Sequence, residues 1–153
     1  MSRLSHRIRP LVVLAATGMA SIVAGGLVTA ASAAHPTEHA SWAAGYLVLV
    51  GGVATLGIAA GLHGIRGAGD APLHATLLAV WQAANILVLC GVLLDSSAAV
   101  LGGGILLFAV LVAAAVLSRA GRRSRPFTAA FFVLLAVLAG SVPVGIFLAL
   151  FRA

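Results

Sequence analysis

A chain of 153 residues that is 62% hydrophobic and 8% charged, with a mean hydropathy of +1.18, is no ordinary water-soluble domain. Its apolar residues gather in five stretches separated by short polar joints, which leaves no room for a soluble catalytic domain. A formal charge of +6 and a pI near 11.7 would suit nucleic acid in a soluble protein, but here the basic residues sit at the ends of apolar stretches, where membrane topology accounts for them.

The stretches cover residues 11–30, 41–62, 73–94, 98–118 and 127–151. About 20 helical residues cross a hydrocarbon core of roughly 30 Å. Lipid offers no partner to backbone N–H and C=O groups, so such runs must be helices. The expected fold is an all-α integral membrane protein, one polytopic domain over residues 1–153. Its joints allow only antiparallel neighbours, hence an up-and-down bundle of five transmembrane helices.

The first stretch follows SRLSHRIR and ends in TAASAA, a pattern that also fits a secretory signal with a cleavage site such as Ala31-Ser32-Ala33. Its apolar run is longer than the usual signal core, which favours a retained helix; cleavage would leave four spans. Thr17, Gly18, Ser21, Gly25 and Thr29 fall within about a third of its circumference at 100° per residue, a small-residue face for close helix packing.

The joint that follows reads AHPTEHASW. Pro36 suits the first position of a helix, Glu38 then falls in a first turn whose dipole favours an anion, and Trp42 suits the membrane interface. The same joint offers a metal site: His35, Glu38 and His39, with Asp95 from the facing loop, would suit zinc or copper(II). The spacing is not HExxH, so no metalloprotease mechanism follows. The second stretch ends in Gly57-x-x-x-Gly61, a further close-packing face.

The third stretch is the only one with amides at depth. His74, Leu78, Trp81, Gln82, Asn85 and Leu89 share one face, and Gln82 and Asn85 fall near the bilayer centre, where an unpaired amide is costly. They must face protein or a small wet cavity. One reading makes them interhelical hydrogen bonds; the other makes Trp81, Gln82 and Asn85 the lining of a pocket for a solute, quinone or cofactor. His63, closing the second stretch, and His74, opening the third, could in principle hold a b-type haem. Cys90 has no partner for a disulfide and is expected to pack as a small hydrophobe.

The fourth stretch opens with Gly102-Gly103-Gly104, and the fifth contains Pro143, which should kink its helix. Orientation follows from charge. With the N-terminus in the cytoplasm, eight of the nine basic residues lie inside, four of them in the joint RAGRRSRP, and only Arg152 lies outside. All nine are Arg and none is Lys, which together with heavy use of Ala, Gly, Val and Leu suggests a GC-rich bacterial genome and a bacterial plasma (inner) membrane.

A nucleophile elbow, a P-loop, CxxC and paired intramembrane carboxylates are all missing from the sequence, so the expected role is not enzymatic. The leading expectation is an accessory or scaffold subunit in the lipid bilayer, beside a larger membrane-protein partner or as a homo-oligomer. Its alternatives are a metal- or haem-binding protein of electron transfer or metal handling, and a small-solute transporter or channel.

Overall fold

In the computed structural model, which describes residues 2–66, 71–119 and 125–151, every regular element among the described residues is helical. The elements are α1 (Ser2–Ser32), α2 (Glu38–Tyr46), a π-helical segment (Leu47–Ala54), α3 (Thr55–Arg66), α4 (Ala71–Leu93), α5 (Ser97–Arg119) and α6 (Arg125–Phe151). Helix α2, the π segment and α3 follow one another without a break and form one rod. Five helices are long and apolar enough to cross a bilayer, over Ala15–Ser32, Glu38–Gly64, Ala75–Leu93, Ser97–Arg119 and Arg125–Pro143.

Two helix ends show how local chemistry sets the joints. The rod begins two residues later than Pro36 suggests, because Thr37 takes the N-cap in extended conformation and its Oγ1 accepts from the Ala40 N–H at 3.2 Å. Glu38 is still in the first turn. Helix α4 ends with Asp95 in the left-handed region (φ 51°). The Ser96 N–H bonds Gly91 O at 2.7 Å and the Asp95 N–H bonds Val92 O at 3.4 Å, the paired closure of a Schellman motif. That reversal brings α5 back along α4.

Small residues then set which helices touch. A Cβ placed on Gly25 of α1 would stand 2.7 Å from the Ala44 carbonyl, and one on Gly103 of α5 would stand 2.9 Å from the Val88 backbone nitrogen. Gly57 and Gly61 of α3 lie under Leu134 and Phe131 of α6. The small faces on α1, α3 and α5 are therefore filled from within the chain. In each pair, partner numbers fall on one helix as they rise on the other, so α1 and the rod, α4 and α5, and α3 and α6 run antiparallel.

The buried core is concentrated towards the end marked by Arg66, Arg119 and Arg125. Ile58 and Leu62, Leu78 and Trp81, Leu111 and Ala114, and Phe131 and Leu135 come from α3, α4, α5 and α6 and are all nearly solvent-free. The outward faces are also apolar: Met19, Val23 and Leu27 on α1, and Ile105, Phe108 and Val112 on α5, are exposed. Cys90 belongs to this outward surface, not to the interior, since the buried face of α4 is taken by Leu78, Trp81, Ala84, Asn85 and Val88. Helix α6 continues through Pro143.

Replacing Gly103 by Ala should destabilise the fold by about 1–3 kcal/mol, because the new methyl group meets backbone, which cannot rotate away. Gly26→Ala, where a Cβ meets nothing within 4 Å, should be neutral or slightly stabilising. Reversible unfolding in mixed micelles at graded denaturant compares the two.

Candidate functional site

The π segment is the feature on which the site is built. In an α-helix, residues nine apart stand about 180° apart, at 100° per residue. The wider i→i+5 ladder takes roughly four and a half residues per turn, so nine residues make about two whole turns. Tyr46 and Thr55, at either end of this segment, can therefore both face α4. The consecutive glycines Gly51 and Gly52 leave the opposite side of the segment thin enough to lie against Ser21 and Ile22 of α1.

Two sets of hydrogen bonds tie the segment to α4. The buried Trp81 Nε1–H donates to Thr55 Oγ1 at 2.9 Å, and the Thr55 hydroxyl has Val50 O and Gln82 Oε1 each at 3.4 Å as acceptors. Val50, five residues before Thr55, carries the carbonyl that the i→i+5 geometry of the π segment brings to Thr55. Tyr46 OH donates to Asn85 Oδ1 at 2.8 Å, and Asn85 Nδ2–H donates to Trp81 O at 2.8 Å. Thr55 and Trp81 are almost solvent-free, so these pairings answer polar groups that would otherwise be buried without partners.

Towards the Asp95 end the helices separate. Helix α6 packs on α3 and α5, whereas α2 packs on α1 and α4. The space left between α2, α4, α5 and α6 is a cavity of about 820 Å³. Its polar end, or mouth, where α2 begins and α4 turns into α5, is lined by Glu38, His39, Asp95, Ser96 and Ser97. Below the mouth the wall is aromatic, with Trp42 stacked on Tyr46 (centroids 4.9 Å apart, 22° between planes). Its deeper wall is formed by Trp81, Val88, Leu107, Leu111 and Leu138. Beyond Trp81 and Leu111 lies the packed core, which closes the cavity at that end; the polar lining is at the Asp95 end. Both tryptophans of the chain line it.

Of the residues singled out in the sequence, Trp81 forms cavity wall, while Gln82 and Asn85 are turned to Thr55 and Tyr46 and do not line it. At the mouth, His39 Nε2 lies 3.8 Å from Asp95 Oδ1, both side chains well exposed. The four-residue metal set does not assemble: among the described residues no three His, Cys, Asp or Glu side chains come together to hold an ion. The reason is local. His35 lies in the bend before the Thr37 cap, so it shares no helical face with His39 despite the spacing of four. His63 is half-buried in α3, and the side chain of His74, the other half of the haem reading, lies outside the described residues.

Tyr46, Thr55 and the α5 side of the cavity escaped the sequence reading. The signal was present in part: Glu38, Trp42, Tyr46 and Val50 recur every four residues, and Thr55 is a hydroxyl in an otherwise apolar stretch. An α-helical projection puts Tyr46 and Thr55 on opposite sides, which conceals their common role. Comparison with protein-family models, curated proteins and solved structures found no match.

A double-mutant cycle of Trp81→Phe and Thr55→Val should give a coupling of about 0.6–2 kcal/mol in unfolding free energy, the range for buried hydrogen bonds between such helices. A coupling near zero would mean that the indole and the hydroxyl do not depend on one another.

Proposed function

We propose that this chain is a non-catalytic, multi-pass protein of a bacterial plasma membrane that binds a small, largely apolar molecule in the cavity between α2, α4, α5 and α6. The observation that carries this reading is the cavity itself. Its volume of about 820 Å³ falls within the roughly 300–1,000 Å³ of sites that enclose small organic ligands, and its walls combine aliphatic side chains with three aromatic rings.

Membrane residence is supported by the five helices of spanning length and by the outward apolar faces of α1 and α5, which would be unfavourable in water. The antiparallel contacts favour an up-and-down bundle. The Arg-rich joint after α5 and the Arg-bearing N-terminal tail would face the cytoplasm, with the Asp95 turn and the cavity mouth on the other side. The packing of α1 against the rod through Gly18 and Gly25 favours its retention as a span. A non-catalytic role is supported by the placement of all three acidic residues in the joints, away from the membrane interior. The binding reading takes precedence over a pure scaffold because a scaffold has no need of an open, aromatic-walled cavity.

Topology is checked with a membrane-impermeant maleimide in a Cys90→Ala background. Ser97→Cys should label on intact cells and Arg119→Cys only after permeabilisation; the reverse pattern would invert the protein.

Binding is checked with the neutral fluorophore N-phenyl-1-naphthylamine, by energy transfer from the two tryptophans in lipid nanodiscs. Transfer should saturate, and a bulky side chain in the cavity, Gly104→Phe or from the facing wall Ser141→Phe, should weaken it at least tenfold. A non-saturating signal that both variants leave unchanged would show partition into the bilayer alone.

A further inference from the structure

We infer that the occupant of this cavity is a lipophilic cation: an apolar, preferably aryl-bearing body with one positive charge held at the mouth. The inference rests on the binding role proposed above and names its ligand class.

The chain has nine Arg and only three acidic residues, yet two of those three acids, Glu38 and Asp95, stand at the cavity mouth. They come from elements far apart in sequence, the start of α2 and the turn after α4. Arg119 and Arg125 belong to the far ends of α5 and α6. Among the described residues that line the cavity, the only side chains of fixed charge are the carboxylates of Glu38 and Asp95. His39 Nε2, 3.8 Å from Asp95 Oδ1, offsets the Asp95 carboxylate only when protonated.

Helix dipoles do not reverse this sign. The C-terminus of α4 and the N-terminus of α5 meet at the same turn, so their partial charges oppose one another, and the N-terminus of α2 carries Glu38 in its first turn. An anion entering here would meet two carboxylates, whereas a cation would be drawn in.

The wall below suits the same ligand. Trp42 and Tyr46 are stacked just inside the mouth and Trp81 lies deeper. Aromatic faces within about 6 Å of a cation attract it through the ring quadrupole, and do so more strongly where water is reduced. The aliphatic depth between Leu107 and Leu138 would receive the uncharged body.

The test uses two ions of nearly identical shape and opposite charge, tetraphenylphosphonium and tetraphenylborate, read by saturable tryptophan quenching of the full chain in phosphatidylcholine nanodiscs. The phosphonium should bind at least tenfold more tightly than the borate. Glu38→Gln and Asp95→Asn should each weaken phosphonium binding about three- to tenfold, an effect that shrinks as salt is raised. Binding of the uncharged N-phenyl-1-naphthylamine should change far less than phosphonium binding and should not respond to salt. Asparagine is tolerated in the left-handed conformation that Asp95 adopts, so the second variant removes charge and keeps the turn.

Equal affinity for the two ions, or phosphonium binding indifferent to both substitutions, would overturn the cation assignment; saturable naphthylamine binding in the same discs would then leave the binding role standing. Absence of saturable binding by all three probes would overturn both.

Discussion

Helical backbone that is shielded from water has to keep its hydrogen bonds within the helix, and that constraint limits where a side chain can point. A regular helix could not turn both Tyr46 and Thr55 towards α4. The π segment keeps a backbone ladder while changing its pitch, and so presents both hydroxyls to one neighbour. The rod's relation to α4 depends on those contacts. With the rod held there, α1 has a thin glycine face to lie on, and α3 is directed towards α6.

The bundle is consequently unequal along its length. In the half that contains α3, close approach through Gly57 and Gly61 brings α6 inward and fills the interior with Ile58, Leu62, Phe131 and Leu135. In the half that contains α2, the rod leans on α1 and α4 while α6 stays with α5, and the interior opens. Trp81 stands at the junction. Its indole N–H is fixed by Thr55, so the ring can serve as both the roof of the core and part of the cavity wall. Dense packing at one end gives the cavity at the other end a base of buried, interlocked side chains.

Charge follows the same division. Arg119 and Arg125 lie at the helix ends bordering the packed half, and the carboxylates of Glu38 and Asp95 line the cavity where the helices part. The proposed orientation and the proposed ligand class therefore draw on one distribution of charge. Asp95 illustrates the overlap, since a position that usually favours glycine for its backbone carries a carboxylate at the cavity entrance.

Length, hydropathy and the placement of charge are local properties, and the sequence by itself determined what depends on them: five helices of spanning length, short joints, and a third helix whose Trp81, Gln82 and Asn85 share a face. It also marked Glu38 for the first turn of the rod and the small faces of α1 and α3 for close packing. The partners of those faces were decided only in three dimensions. A four-residue spacing suggested that His35 and His39 act together, but the Thr37 cap places one in a bend and the other on a helix. An α-helical projection would set Tyr46 and Thr55 on opposite sides, but the segment between them is π-helical. The cavity belongs to no single element: it arises from the difference between where α2 and α6 find their contacts, and a difference between distant contacts leaves no periodicity to read along the chain.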